Sequence, residues 1–422
     1  MVEAMNDTRK DEPRPILYGV SDYAEIRKAN AWFVDRTAKL RDLEKVRYAL
    51  FLRPRRFGKS LFCAILEAYY DIDCAHRFDE LFSGTAIGAN PTEQRNSHLV
   101  LYFNFSAVKK EVGEVEPSFE LHVADRIDDF ARKYAKRIPD GLSGEILARK
   151  TAAEKMSALF GGMKGRNPGI FCIIDEYDNF TNTILAESGL GAYNDLCHGD
   201  GFFKQFFTEL KTLTTSLDAP LKRLFVTGVS PVTMDDVTSG FNIGTNISLR
   251  SQFADLTGFG HDDIRAMAQY YAPLCGFDAA NAEQVCLDWF DNYRFGSFDA
   301  PPVANTTLVL NFFEQLVNGG RWPDDYIDEN LRTDYAKIRH LLINPSFSGR
   351  IRPFFDRMRF TGKISSRLSS GNADIRDPFD FVKWFYHEGL LTIEGCKYGR
   401  YDFSVPNRFA STIIEEIGND RE

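Results

Sequence analysis

Residues 50–62 read Leu-Phe-Leu-Arg-Pro-Arg-Arg-Phe-Gly-Lys-Ser-Leu-Phe, and the rest of the chain is interpreted from this stretch. The apolar run from Tyr48 to Leu52 predicts a short buried strand. After the loop that ends in Gly58-Lys59-Ser60, apolar residues recur at helical spacing, which predicts a helix. A strand, a loop that ends in Gly-Lys-Ser and a helix form the layout of a phosphate-binding P-loop.

The residues of this loop are expected to bind phosphate and metal in different ways. Lys59 is expected to reach the β- and γ-phosphates of ATP, and the Ser60 hydroxyl is expected to hold Mg²⁺. Backbone N–H groups at the start of a helix bind anions, and the helix dipole favours negative charge there. The predicted cofactor-binding loop therefore comprises Arg55, Arg56, Phe57, Gly58, Lys59, Ser60 and Leu61.

The loop departs from the full P-loop pattern at its first position. The pattern has glycine where this chain has Arg53, which is followed by Pro54. Proline removes one N–H donor from the loop. Arg53, Arg55 and Arg56 are expected to bring positive charge next to the phosphate site. The alternative is a basic surface turn before an ordinary helix, because Gly-Lys-Ser is a common tripeptide.

A second motif lies at residues 169–178, which read Gly-Ile-Phe-Cys-Ile-Ile-Asp-Glu-Tyr-Asp. Its continuous apolar run predicts a central parallel strand that is buried on both faces. Carboxylates after such a strand lie in the crevice where open α/β sheets bind ligands. Asp175 is therefore the predicted Mg²⁺ ligand, and Glu176 is predicted to orient and polarise the attacking water. A strand that ends in solvated acids is the alternative.

The loop and several other segments resemble the AAA-ATPase-like family of bacterial and fungal P-loop proteins, distant relatives of the STAND and origin-recognition ATPases. The loop of that family is typically Arg-Pro-Arg-Arg-Phe-Gly-Lys-Ser/Thr, so the absent first glycine fits the resemblance. The resemblance extends from about Tyr18 to Asn407. The other segments that carry it are residues 18–23, 32–37, 174–178, 240–242, 256–259 and 289–295.

This resemblance implies an ATPase with two further site assignments. In related ATPases the segment before the first strand passes the adenine base, so Gly19 and Val20 are the expected adenine neighbours. A strand between the two motif strands often ends in a polar residue that contacts the γ-phosphate. Thr227, at the end of a third apolar run, is the expected sensor, with an ordinary Thr-Gly strand exit as the alternative. Many members continue into a nuclease-like domain of the PD-(D/E)XK type, and we expect none in this chain.

Composition favours a cytoplasmic protein without a membrane span. The longest apolar runs are far shorter than the roughly 18 residues that a transmembrane helix needs. The formal net charge of −9 argues against a chain dominated by nucleic-acid binding. The 7 cysteines contain no Cys-x-x-Cys pair, which favours reduced core residues over zinc or redox chemistry.

One segment nevertheless predicts a nucleic-acid partner. Between Arg339 and Arg367 the chain has seven basic residues, one acid and four interleaved phenylalanines, a mixture that binds backbones and stacks bases. The alternative is a helix with a solvated basic face and an aromatic core face. A third interpretation is that one of these arginines completes an ATP site, within the chain or across a homo-oligomer or protein-partner interface.

The order of predicted elements indicates an α/β fold of the P-loop NTPase (AAA+-like) type, with helices on both faces of a parallel sheet. A helical lid and a module that resembles a winged helix are expected to follow. The predicted boundaries are a flexible tail over 1–15, the P-loop core over 16–258, the lid over 259–340, and the basic segment with the winged-helix-like module over 341–422.

Two functions of different classes follow from these patterns. The first is a Mg²⁺-dependent ATP-binding protein, a slow ATPase that acts as a nucleotide-state switch. The second is a non-catalytic P-loop scaffold that grips a protein or nucleic acid. Arg53-Pro54 favours the scaffold, and the acidic pair Asp175-Glu176 favours the ATPase.

Overall fold

Five parallel strands form the central sheet, and three of its four long strands are the apolar runs described above. Numbered along the chain, they are β1 (Tyr48–Leu52), β2 (Leu99–Asn104), β3 (Ile170–Asp175), β4 (Leu221–Gly228) and β5 (Thr245–Asn246). Their spatial order is β2-β3-β4-β1-β5, with parallel pairing throughout. The strand that carries Thr227 therefore lies between the strands of the two motifs, as expected. The computed structural model describes residues 12–197, 201–215, 217–230, 243–296, 299–327, 335, 359–362, 378–397 and 400–419.

The two faces of this sheet have separate hydrophobic cores. Side chains at alternate positions of β1 to β4 belong to different clusters, because successive side chains of a strand point to opposite faces. Helices α1 to α5 pack on one face and α6 to α10 on the other. The helices are α1 (Tyr23–Lys28), α2 (Leu40–Leu43), α3 (Lys59–Tyr70), α4 (Phe78–Phe82), α5 (Ala86–Ala89), α6 (Val115–Lys133), α7 (Leu142–Ala148), α8 (Ala152–Gly162), α9 (Asn179–Cys197) and α10 (Phe202–Thr212).

The chain after the sheet folds around a third hydrophobic cluster. This part of the chain contains the helices α11 (His261–Cys275), α12 (Ala279–Phe290), α13 (Thr306–Gly319), α14 (Pro378–His387) and α15 (Arg408–Asn419). It also contains an antiparallel sheet of order β6-β8-β7, formed by β6 (Arg359–Gly362), β7 (Thr392–Lys397) and β8 (Arg400–Ser404). Short 3₁₀ helices elsewhere span Thr37–Lys39, Ile72–Arg77, Phe105–Ala107 and Ser251–Phe253.

The third cluster reaches back to the P-loop and to the N-terminal segment. Phe57 of the loop belongs to it, and its ring contacts Tyr293 edge-on with 5.0 Å between the centroids. Trp32 packs against the same cluster. The backbone of Arg14, in the predicted tail, exchanges hydrogen bonds with tyrosine hydroxyls of α11. The parts that follow the sheet therefore contact the predicted phosphate site directly.

The observed elements agree with the predicted α/β class, and they differ from the sequence interpretation in detail. Residues 262–290, within the predicted lid, lie in two helices, because Gly276 adopts a φ of 77° and ends α11. Strand β6 was not predicted. The winged-helix assignment and the domain boundaries stay predictions. Most of the Arg339–Arg367 basic cluster and the 240–242 segment lie outside the described residues. Within the described ranges, no helix has the length and apolar character to cross a membrane.

Candidate functional site

A cavity of about 500 Å³ opens where the strands of the parallel sheet end. Residues 55–62 line it from the P-loop and the start of α3. Asn104 and Glu176 line it from the ends of β2 and β3. Its other walls come from the N-terminal segment, the segment before α11 and the start of α13, including Gly19, Val20, Trp32, Val34, Arg36, Phe259, Thr306, Thr307 and Leu310.

The P-loop turns into α3 at Gly58, which is the N-cap of that helix with a φ of 87°. Glycine adopts this left-handed conformation without steric cost. Lys59, the first residue of the helix, is buried, and its ammonium donates to the carbonyl oxygens of Arg53 at 3.0 Å and Pro54 at 2.9 Å. The lysine therefore lies across its own loop, with its charge beside the cavity that the loop lines.

The two sequence motifs meet at Asp175. This carboxylate is fully buried at the end of β3, and it accepts hydrogen bonds from the Tyr102 hydroxyl at 3.3 Å and the Glu176 N–H at 2.9 Å. The Ser60 hydroxyl lies close enough to lower the pKa of Asp175. Burial raises the pKa of Asp175, as does the charge of Glu176, and the Ser60 hydroxyl and the Lys59 charge oppose this shift. Ser60 and Asp175, the two predicted metal ligands, are thus close together.

Glu176 follows Asp175 into the cavity wall. It is half-buried and has a φ of 54°, a left-handed conformation that is uncommon for a residue other than glycine. Such conformations persist only where the surrounding structure enforces them, and they cluster at active sites. The position of Glu176 between the buried Asp175 and the cavity is compatible with its predicted contact with water.

The third predicted chemical residue is held differently. Thr227 is fully buried in β4, and its hydroxyl donates to the carbonyl oxygen of Phe51 in β1 at 2.7 Å. It is not among the residues that line the cavity. To donate to a γ-phosphate, Thr227 would first have to give up this bond. The sensor role of Thr227 therefore stays a prediction.

The wall of the cavity that comes from the N-terminal segment is largely apolar. Gly19 and Val20, the predicted adenine neighbours, line the cavity together with Trp32, Val34 and Phe259. Gly19 has a φ of 77°, which favours glycine at this turn. Most nucleotide and cofactor pockets combine such apolar walls with a few polar groups. Because Gly19 and Val20 line the same cavity as the P-loop, one ligand can contact both.

The expectation that Arg53 contributes charge to the phosphate site is wrong. Its side chain is 1% exposed, and its guanidinium donates to carbonyl oxygens of Leu52, Ser248, Phe253 and Ala254 at 2.8 to 3.3 Å. It does not line the cavity, whereas Arg55 and Arg56 do. Burial lowers the pKa of Arg53 to about 9. The residue that replaces the first glycine thus fixes the loop to the segment after β5.

Sequence reasoning missed several residues around the cavity. Asn104 pairs with Asp175 in the register of β2 and β3, and a polar residue at the end of the apolar run Leu99–Phe103 was the signal that could have identified it. Arg36 lines the cavity and forms an ion pair with Asp263 of α11. No local pattern indicates that pair, because its partners are far apart in the chain.

Asp178 was also missed, although it belongs to the acidic motif. It is fully buried and accepts hydrogen bonds from the N–H groups of Val229 at 3.1 Å and Ser230 at 2.6 Å, and from the Asn182 amide at 2.7 Å. Burial raises its pKa. It joins the turn after β3 to the chain after β4. Adding a side chain at Gly228 would collide with it, since a Cβ there would lie 2.3 Å from its Oδ1.

The donor set at Asp175 fits Mg²⁺ and the cavity fits a nucleotide. Ser60, Asp175 and Glu176 supply only oxygen atoms, which are the ligands that Mg²⁺ prefers. Among the described residues, no group of three or more His, Cys, Asp or Glu side chains is arranged to hold a metal ion. Mg²⁺ is usually bound by one or two protein ligands together with waters and phosphate oxygens.

The parallel sheet, the Gly-Lys-Ser loop and the adjoining acidic strand end define the class of P-loop proteins. Residues 17–238 match the model of the AAA-ATPase-like family, described as predicted AAA-ATPases. Because the match spans more than half of the 422 residues, the chain belongs to this family. The predicted resemblance and the predicted α/β class of P-loop fold are therefore confirmed, and the membership supports an ATP-binding P-loop protein.

Three known proteins are similar over large parts of the chain. The "uncharacterized protein in vnfD 5′ region" of Azotobacter chroococcum mcd 1 is 23% identical over 289 residues, which is 67% of this chain and 50% of that protein. The chain thus spans about half the length of this curated relative. A Walker-type ATPase of Pyrococcus abyssi is 12% identical, with a TM-score of 0.45 and coverage of 90% and 94%. The ORC2 protein of Aeropyrum pernix, solved as ADPNP–ADP complexes, is 10% identical, with a TM-score of 0.40 and coverage of 98% and 97%.

Proposed function

We propose that this chain binds Mg²⁺–ATP at the P-loop, hydrolyses it slowly to ADP and phosphate, and uses the bound nucleotide as a switch for a partner. The observation that carries the proposal is the approach of Ser60 to Asp175, beside a cavity that Lys59, Ser60 and Glu176 line. It connects the loop after β1 to the end of β3, so both motifs share one edge of the sheet. Lys59 and Glu176 line the same cavity.

Each residue at this edge has a separate proposed role. Lys59 neutralises charge on the β- and γ-phosphates, and the start of α3 directs backbone N–H groups toward them. Ser60 and Asp175 hold Mg²⁺, which would supply charge neutralisation at the phosphates. Glu176 orients the attacking water and accepts its proton. Its left-handed backbone conformation supports this role, because such strain is found mostly where function requires it.

The nucleotide would extend from the P-loop to the apolar wall. Gly19 and Val20 border the adenine in this proposal, and the charges of Arg55 and Arg56 supplement that of Lys59. All of these residues line the cavity. Thr227 would act as the γ-phosphate sensor only if its hydroxyl leaves Phe51, which links any sensing to the pairing of β4 with β1.

The experiment is a comparison of Mg²⁺–ATP binding and phosphate release by wild type, Lys59→Ala and Glu176→Gln. We expect Lys59→Ala to lose binding, because the phosphates lose their principal countercharge. We expect Glu176→Gln to keep binding and to lose turnover by about 100-fold or more. Lys136→Ala, a change at an exposed lysine, is the matched control and should behave as wild type. A wild type without a nucleotide-dependent change in melting temperature would contradict the proposal.

The non-catalytic scaffold is the second candidate, and one observation favours it. The predicted sensor hydroxyl of Thr227 is bound to Phe51 within the sheet and does not reach the cavity wall. A scaffold would bind nucleotide weakly and would show equal phosphate release in wild type and Glu176→Gln. Its proposed nucleic-acid contact is the Arg339–Arg367 cluster. Loss of salt-sensitive DNA binding after replacement of Arg350, Arg352, Arg357 and Arg359 would support that contact.

A further inference from the structure

The start of α13 is hydrogen-bonded to the backbone of the P-loop. The Thr306 hydroxyl donates to the carbonyl oxygen of Phe57 at 3.1 Å. Thr307 donates to the carbonyl oxygen of Arg56 twice, from its hydroxyl at 3.0 Å and from its N–H at 3.2 Å. The two elements are far apart in sequence, since the Thr306–Phe57 pair is separated by 249 positions.

Asn305 completes this contact and holds the two threonines in place. Its side-chain oxygen caps α13 by accepting from the N–H groups of Thr307 at 3.0 Å and Leu308 at 3.3 Å. Its amide group donates to the carbonyl oxygen of Arg55 at 3.3 Å. Three consecutive loop carbonyls, those of residues 55–57, are therefore bound by residues 305–307, which we call the loop clamp.

The loop clamp fixes the orientation of the peptide units that a phosphate would contact. In a planar trans peptide the carbonyl and the following N–H point in opposite directions. Holding the carbonyls of Arg56 and Phe57 against α13 therefore turns the N–H groups of Phe57 and Gly58 away from α13. Concave sites for anions are built from successive N–H groups with a common orientation.

The clamp also stabilises a strained residue. Arg56 has a φ of 67°, a left-handed conformation that costs free energy for a residue other than glycine. Its own carbonyl is the one that accepts both bonds from Thr307. Arg53 occupies the position of the first glycine in the general P-loop pattern. Its guanidinium donates to carbonyl oxygens outside the loop, such as those of Ser248 and Phe253. The loop clamp thus stabilises the P-loop through contacts with α13, in a chain whose loop lacks that glycine.

We infer that Thr306 and Thr307 are positioning residues that shape the P-loop for nucleotide phosphates, an inference that rests on the proposed function. They act through the loop backbone rather than through a charge of their own. The clamp connects the helical part after the sheet to the phosphate site. Nucleotide affinity consequently depends on where α13 lies, and a bound nucleotide holds α13 against the loop.

The test measures the dissociation constants of ADP and Mg²⁺–ATP for Thr306→Val, Thr307→Val and the double variant. Valine keeps the shape of threonine and removes the hydroxyl donor. We expect the double variant to bind about tenfold or more weakly, since each lost hydrogen bond weakens binding severalfold. Thr306→Ser and Thr307→Ser keep the donor and should restore affinity to within about threefold of wild type. Thr208→Val is the control, because its hydroxyl bonds within an exposed turn of α10.

Melting temperatures without nucleotide separate a structural role from a positioning role. Unchanged dissociation constants with a lowered melting temperature would overturn the inference and leave the proposed function intact. Absence of nucleotide binding by wild type would overturn both this inference and the proposed function. If the double variant does not fold, the single Thr306→Val variant decides the question, because it removes only one bond. Wild-type affinity in that variant would then overturn the inference.

Discussion

The guanidinium carbon of Arg53 lies 4.1 Å from the centroid of the Phe295 ring. The ring of Phe51 faces the same guanidinium at 4.4 Å. A cation that is buried between two aromatic faces is stabilised by their quadrupoles, in addition to its bonds to carbonyl oxygens. The residue that breaks the general P-loop pattern therefore joins β1 to the segment that follows α12.

Arg53→Gly would restore the general pattern, and we expect it to destabilise the protein. The variant loses both ring contacts and leaves buried carbonyl oxygens without donors, at a cost of about 3 to 5 kcal/mol in the free energy of unfolding. Urea denaturation followed by circular dichroism measures this difference. Arg149→Gly, at an exposed position just after α7, should change stability by less than about 0.5 kcal/mol. An Arg53→Gly variant as stable as wild type would contradict the prediction.

His387, at the end of α14, should make the protein sensitive to acid. Burial lowers the pKa of its imidazole from 6.5 to about 3, and the charges of Arg53 and Lys383 add to this shift. Between these two values the unfolded chain binds more protons than the folded chain. Stability therefore rises with pH through this window and is lost as the pH falls, by about 1.4 kcal/mol for each pH unit.

The variant His387→Gln removes this titration, so its stability should fall less on acidification. Between about pH 6 and pH 4, we expect the variant to lose about 2 kcal/mol less than wild type. His98, whose pKa burial lowers to about 4, titrates in both proteins and leaves a residual slope. The control is His76→Gln, at an exposed histidine. Parallel stability curves for His387→Gln and wild type would show that the protonation of this residue does not matter.

Asp178 should stabilise the chain that leaves β4. Asp178→Ala removes the acceptor for the N–H groups of Val229 and Ser230, and two buried donors without partners cost about 2 to 4 kcal/mol in the free energy of unfolding. Asp178→Asn keeps one acceptor oxygen and should lose less. Guanidinium denaturation compares the two variants with Asp218→Ala, at an exposed position. Equal losses in the alanine and asparagine variants would argue against a hydrogen-bonding role.

Arg55 of the P-loop is connected to the C-terminal part of the chain by an ion pair. Its Nε lies 3.8 Å from Oε2 of Glu388, with side-chain exposures of 24% and 6%. A double-mutant cycle with Arg55→Gln and Glu388→Gln should give a coupling of about 1 kcal/mol in unfolding. The control cycle uses the exposed pair of Arg408 and Asp288 at 3.9 Å, for which a coupling near zero is expected. Equal coupling free energies in the two cycles would mean that burial does not strengthen the Arg55–Glu388 pair.

Much of the sheet could be predicted because its signals are local. The runs Tyr48–Leu52 and Ile170–Ile174 are continuously apolar, which is the pattern of parallel strands with both faces covered. The carboxyl ends of parallel strands share one edge, so the meeting of Ser60 with Asp175 follows from the topology. Strand β6 was missed because it is a short segment whose antiparallel partner, β8, lies about 40 residues later in the chain.

The hydrogen-bond partners of single side chains were less predictable than the positions of those residues in the fold. Thr227 was correctly expected on a strand between the motif strands, but its hydroxyl bonds to the adjacent strand. Its partner, Phe51 O, is a backbone atom, and sequence does not indicate which backbone acceptor a buried hydroxyl will choose. The same holds for Thr306 and Thr307, whose acceptors lie in the P-loop.

The amino-acid sequence by itself determined the P-loop, the acidic strand end and the parallel α/β core. These features depend on the spacing of neighbouring residues, and hydrophobic periodicity and loop chemistry act over a few positions. Tertiary structure alone decided that Arg53 turns into the protein and that α13 holds the loop. Both outcomes depend on partners roughly 200 to 250 positions away, which meet only when burial of apolar surface has brought the two parts of the chain together.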